Sequence, residues 1–267
     1  MRSVPDAFDP AVVAVIDARL ASVEIEHGVR IPWAIESGSR AWGFASPDSD
    51  YDCRFLFVRP FSAYAALWPA RDVIETPLEG LVDVNGWDLG KAVRLATAGN
   101  ATVGEWLRSP HVYDGDPAFR DALLDLVARV GDTSRIRRHY LHVGRAQWSR
   151  AHDATGEVRL KKVFYAIRPA VTLRWLDDHE GVPPMNLDEL LAQAEVPDDV
   201  RDELVALRSL KARTRELGSA PVPPAIGRWV LSVFEAEPDR ASPPSRELRA
   251  EAEAGFRELV EAWAPAG

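Results

Sequence analysis

Near the start of the chain, Val12, Val13, Ile16, Leu20 and Val23 recur at helical spacing. Asp9 followed by Pro10 supplies an N-cap and a first-turn proline, so a first helix running to Gly28 is predicted. The apolar runs IPWAIESG and YDCRFLFVRP then read as two strands joined by a turn-rich loop ending in PDSD. A strand pattern returns in DVIET and GLVDVNGW, after which Asp88 caps a helix ending near Gly99 and Asn100. From about residue 117 nearly every segment has a helical period, as in DPAFRDALLDLVARV, TSRIRRHYLHVGRAQW, GEVRLKKVFYAIRPAVTLRWLDD and SRELRAEAEAGFRELVEAWA. The chain is therefore expected to be α/β (α+β), with an α/β part over 1–112 and a helical part over 113–267. No fixed-period repeat and no long linker intervenes, so the two parts should pack together.

Composition narrows the function. An apolar share of 46% with 27% charged residues is globular, and a net charge of −9 argues against unspecific coating of polyanions. A local basic cluster runs from Arg135 through Arg137, Arg138, His139, His142, Arg145 and Arg150 to His152, and its plain reading is a solvated helix face. Cys53 is the sole cysteine, which suits a reducing compartment and leaves no pair for a disulfide. No apolar run has the length of a membrane span, and MRSVPDAFDP has no signal-peptide pattern. No membrane association and a cytoplasmic location are expected; oligomeric state is not legible.

Candidate chemistry concentrates in SGSRAWGFASPDSDYDCRF. Asp50 and Asp52 stand two residues apart at the start of a strand, where period-two alternation puts both carboxylates on one face. Such a pair repels unless a cation lies between, and Mg²⁺ characteristically takes one or two carboxylates together with substrate phosphates. Gly38 and Ser39 end the preceding strand, where a missing Cβ and a hydroxyl suit close approach to phosphate. Asp48, Asp50 and Asp52 also imitate the first ligands of an EF-hand loop, but Cys53 stands in place of its glycine and Arg59 in place of its final glutamate. A simple polar turn is the remaining plain reading.

Ten residues separate Ser39 from Asp50, and with them the chain resembles the DNA polymerase β-like nucleotidyltransferases. GSRAWGFASPDSDYDCRFLFV is similar to the RlaP-type branch associated with RNA repair, as are VDVNGWDLGKAVRLATAGNATVGEWLRSP and LKKVFYAIRPAVTLRWL. Ser37 and Ala101 depart from the usual aliphatic and proline at those places without removing a catalytic group. The resemblance implies a polymerase-β-like palm with a mixed sheet, followed by a C-terminal helical region. It also implies that Asp50 and Asp52 bind Mg²⁺, with Mn²⁺ as a substitute, and that a following strand adds a third carboxylate. Asp83 is the positional candidate and Asp88 its rival, although Asp88 is better explained as a helix cap.

Further candidates are Arg40, beside the Gly-Ser turn, and the helical face of Lys161, Tyr165 and Arg168, with Lys162 beside it, which could cover a base and its triphosphate. Pro169 should kink that helix. Trp42 borders the loop, with core packing as its plain reading. Asn100 is read as a helix cap and Glu105 has no clear catalytic part; His139 and His142 lack a third zinc ligand. The expected activity is transfer of a nucleotidyl group from a nucleoside triphosphate to an acceptor hydroxyl, an RNA end first. The alternatives are a non-catalytic nucleotide- or RNA-binding palm and a metal-dependent phosphohydrolase.

Overall fold

The computed structural model describes residues 1–151, 158–213 and 219–266, with the side chains at 159–161, 212–213 and 219–220 outside the description. Helix α1 (Pro10–His27) starts where Asp9 Oδ1 accepts the Ala11 N–H at 2.8 Å. Strand β1 (Arg30–Glu36), the short helix α2 (Gly38–Ala41) and strand β2 (Tyr51–Val58) follow. Then come α3 (Phe61–Tyr64), β3 (Val73–Glu75), β4 (Val82–Asp88), α4 (Leu89–Thr97), α5 (Thr102–Leu107) and β5 (Val112–Gly115). The remainder is α6 (Pro117–Val130), α7 (Thr133–Ala151), β6 (Val158–Arg159), α8 (Leu160–Asp178), α9 (Leu187–Gln193), α10 (Asp198–Arg213), β7 (Ser219–Ala220), α11 (Pro224–Ala236) and α12 (Arg246–Trp263).

The main sheet has the order β3-β4-β2-β1-β5 and is mixed, since β2 and β4 run parallel while the other neighbours are antiparallel. Alternation along β2 divides it. Tyr51, Cys53, Phe55 and Phe57 join Ile16, Leu20 and Val23 of α1 in one core. Leu56 and Val58 turn to the opposite face and pack with Leu89, Val93, Phe119, Leu123, Leu259 and Val260. The α/β fold with a helical C-terminal region is thus as expected from the sequence.

Two details were not expected. HVYDG carries an edge strand, β5, which pairs with β1 and crosses residue 112, while α6 and α12 share a core with the sheet. Past residue 117, where only helices were expected, β6 and β7 form a two-stranded ribbon. A third core joins α7, α8, α9, α10 and α11 and takes in Phe44 from the loop after α2. Leu187 N–H donates to Trp42 O at 3.0 Å and Arg208 Nη2 donates to Gly43 O at 2.8 Å, so the helical part grips that loop. No helix among the described residues is long and apolar enough to cross a membrane.

Candidate active site

The face of β2 that bears Leu56 and Val58 in its second half bears Asp52 and Arg54 in its first, where α4 and α12 no longer cover it. In β4 the same alternation buries Val82 and Val84 on the α1 side and turns Asp83 and Asn85 to the other face. The parallel register pairs Asp52 directly with Asp83. Arg54 bridges the two, with Nη2 at 3.1 Å from Asp52 Oδ1 and 2.7 Å from Asp83 Oδ2. Asn85 Nδ2 donates to Asp83 Oδ1 at 2.6 Å. Burial raises the Asp52 carboxyl above its ordinary value; Arg54 opposes this, while Asp83 and Asp50 add to it. Three carboxylates therefore share one field. Asp50 precedes the strand and is exposed, and among the described residues no three acids, histidines or cysteines are gathered as a ready-made metal cage.

Asp88 lies elsewhere. It pairs in register with Phe57, accepts the Gly90 N–H at 2.8 Å to cap α4 and accepts the Tyr64 hydroxyl at 3.1 Å. Asp83, not Asp88, is the acid paired in register with Asp52.

Gly38 lies directly against Asp52. Its φ is +59°, and a Cβ there would lie 2.0 Å from Asp52 Oδ2, so both conformation and space require glycine. Gly38→Ala should displace the Asp52 carboxylate and destabilise the turn by about 1–2 kcal/mol, with activity falling far more than the unfolding midpoint. Ser39 is buried and donates its hydroxyl to Ser49 Oγ at 3.0 Å, and Ser49 Oγ also accepts the Ser46 N–H at 2.9 Å. The hydroxyl expected at a phosphate thus braces the loop. Arg40 does likewise, donating to Asp50 O at 3.1 Å and Ser49 O at 2.7 Å, with its guanidinium 3.8 Å from the Tyr51 ring centroid.

Sequence reasoning missed Glu36, the last residue of β1. Its buried carboxylate accepts the Asp52 N–H at 3.1 Å and the Tyr113 hydroxyl at 2.6 Å. Burial pushes its carboxyl up to about 7 against these two hydrogen bonds. Between the ordinary carboxyl value and about 7, the folded chain holds a proton that the unfolded chain has released, so stability falls as pH rises through that window. The loss is roughly 3 kcal/mol at about 1.4 kcal/mol per unit. Thermal unfolding from pH 5 to 8 should show the slope in the wild type and a flatter profile in Glu36→Gln.

From the helical part, Tyr165 stands edge-on to Trp42 with centroids 5.4 Å apart, and burial, then Asp52 and Asp50, raise its hydroxyl. Arg168 is buried, donating Nη1 to Glu105 Oε1 at 2.9 Å and Nε to Met185 O at 2.9 Å. Tyr140 donates to the same Glu105 oxygen at 2.7 Å. Glu105, Tyr140, Tyr165 and Arg168, with Trp42, Ser37 and His139, line a recess of about 170 Å³, in which Arg168 Nη2 and Trp42 Nε1 have no hydrogen-bond partner among the described residues. Asn100 Oδ1 accepts the Thr102 N–H at 2.9 Å and so caps α5. The Lys161 side chain and His152 lie outside the described residues.

Two comparisons bear on identity. The family model described as RNA repair pathway DNA polymerase beta family, RlaP, matches residues 12–258. YcgL of Bacillus subtilis (strain 168) is 34% identical over 232 residues, covering 87% of each chain. A match of that extent supports a nucleotidyltransferase-like role, and it takes in the Gly38 turn, both strand-borne aspartates and the helices that grip their loop. The chain belongs to the RNA repair pathway DNA polymerase beta family.

Proposed function

We propose that the protein is a cytoplasmic nucleotidyltransferase that binds a nucleoside triphosphate with Mg²⁺ or Mn²⁺ and joins the nucleotidyl group to an acceptor hydroxyl, releasing pyrophosphate. The observation that carries this is the in-register pairing of Asp52 with Asp83 at the uncovered end of a sheet face, with Gly38 against Asp52. The donor set fits a hard divalent cation, being carboxylate oxygens of Asp50, Asp52 and Asp83. Arg54 now supplies the positive charge between two of them and would yield its place. When bound, the cation would offset the charge that develops on the phosphoryl oxygens. The chain's own groups do the rest. Gly38 admits the phosphates close to the backbone. Ser39 and Arg40 hold the loop and lie at its phosphate side, and Lys161 is the further cation assigned to the triphosphate. Tyr165 and Trp42 border the base, with Arg168 fixing that wall. Asp83 accepts the proton of the attacking hydroxyl. An RNA end is the first acceptor to try, on the strength of the family's RNA repair association.

The Arg54 bridge favours one second reading, a palm that binds nucleotide or RNA without catalysis, because it compensates Asp52 and Asp83 with no metal. A phosphohydrolase using the same acids differs by releasing phosphate with no modified acceptor. Mn²⁺ titration followed by electron paramagnetic resonance, with and without a ribonucleoside triphosphate, tests the site. Nucleotide-dependent Mn²⁺ binding in the wild type that is lost in Asp52→Asn and Asp83→Asn is expected; no such binding would sink the reading.

A further inference from the structure

On α7, remote in sequence from the carboxylates, Arg135 has a side chain only 9% exposed. Among the described residues its Nε and Nη2 have no hydrogen-bond partner. Nη1 donates to Ser242 O at 3.3 Å, with the Asp132 carboxylate 3.9 Å away. A buried guanidinium with idle donors is costly unless an acceptor completes it. The position is built, because Gly99 at φ +90° lets α7 come close: a Cβ there would lie 2.3 Å from Arg135 Cβ.

Arg135 lines a cleft of about 380 Å³ between the α4–α5 turn, α7 and residues 241–244. Arg138, His139 and His142 line it from the same helix face, and no acid is among the lining residues. Asp239 pairs with Arg138 at 3.1 Å and His142 at 2.7 Å from the exposed rim, while Arg135 behind them has Asp132 at the edge of ion-pair distance and two donors unpaired among the described residues. We propose that this cleft is a binding site for a phosphate group. The planar donor fork of a guanidinium matches phosphate oxygens two at a time, and imidazole N–H groups add single donors. His139 and Val143 line both this cleft and the recess at Trp42 and Tyr165, so the two adjoin. Free phosphate and the backbone of a polynucleotide are the two sources of that group. The site stands whether or not the carboxylates catalyse transfer.

Calorimetric titration of the full chain, without divalent metal, uses inorganic phosphate and a short single-stranded RNA with or without a 5′-phosphate. Arg135→Gln should weaken binding at least about tenfold, and the salt slope of RNA binding should fall by about one phosphate contact. Arg138→Gln, on the exposed rim, should weaken binding severalfold and keeps the test informative if Arg135→Gln does not fold. Weakening with phosphate alone assigns a free anion, and weakening with RNA assigns a strand. Wild-type affinity in Arg138→Gln and in a folded Arg135→Gln, or no binding of any probe by the wild type, overturns the proposal.

Discussion

Asp52→Asn and Asp83→Asn should each lower nucleotidyl transfer by at least about a hundredfold, the scale on which removal of one preorganised charge-stabilising group is felt. Neither should lower stability much. Asp52 is held above its ordinary carboxyl value by burial, so removing its charge relieves a desolvation cost while forfeiting one Arg54 contact. Asp88→Asn is the control. Asp88 caps α4 and receives the Tyr64 hydroxyl, and asparagine keeps a side-chain oxygen for both contacts, so stability and rate should both stay near wild type. Steady-state rates alongside urea unfolding separate the two classes; a rate collapse in Asp88→Asn with normal rates in Asp83→Asn would reverse the assignment.

The largest stability effect is expected at Arg168. It and Glu105 form an ion pair with side chains 5% and 10% exposed, tying α8 of the helical part to α5 beside the sheet. Arg168→Met should leave the Glu105 carboxylate buried without its ion-pair partner and with the Tyr140 hydroxyl still donating to it, at a cost of about 3–5 kcal/mol. Glu105→Leu added to Arg168→Met should recover much of that loss, because replacing a buried pair whole is far milder than orphaning one member. Urea midpoints of the two single variants and the double variant measure the coupling. A loss of less than about 1 kcal/mol in Arg168→Met would mean that the pair does not anchor the two parts. The same anchor sets the wall of the recess at Trp42, so the single variant should also weaken nucleotide binding.

Strand alternation sets Asp50 and Asp52 on one face, while Asp83 enters only through the family resemblance. A capping position distinguishes Asp88 from Asp83 before any register is known, whereas the open end of the Asp52 face appears only once the helices are packed. The same alternation carries Arg54 onto the Asp52 face, so that residue was within reach of the sequence. Glu36 was not. It looks like the polar end of an apolar strand, and its burial depends on Tyr113 of β5, a four-residue strand held between Pro110 and Asp116 that reads as loop. Helical spacing shows which residues share a face with Arg168, not what that face meets, and its partner Glu105 comes from another element. The Arg135 to His152 cluster reads as a basic face, yet Arg137 is spent on Glu237 and Asp177 and Arg138 on Asp239. These pairings span distances in sequence that no local pattern encodes.

Incubation of the protein with each α-labelled ribonucleoside triphosphate, Mg²⁺ or Mn²⁺, and a pool of RNA and protein acceptors tests nucleotidyl transfer most directly. Label carried to an acceptor by the wild type and absent with the Asp50→Ala, Asp52→Ala variant is the expected result. Label that stays on nucleotide throughout, with no acceptor modified, would contradict it.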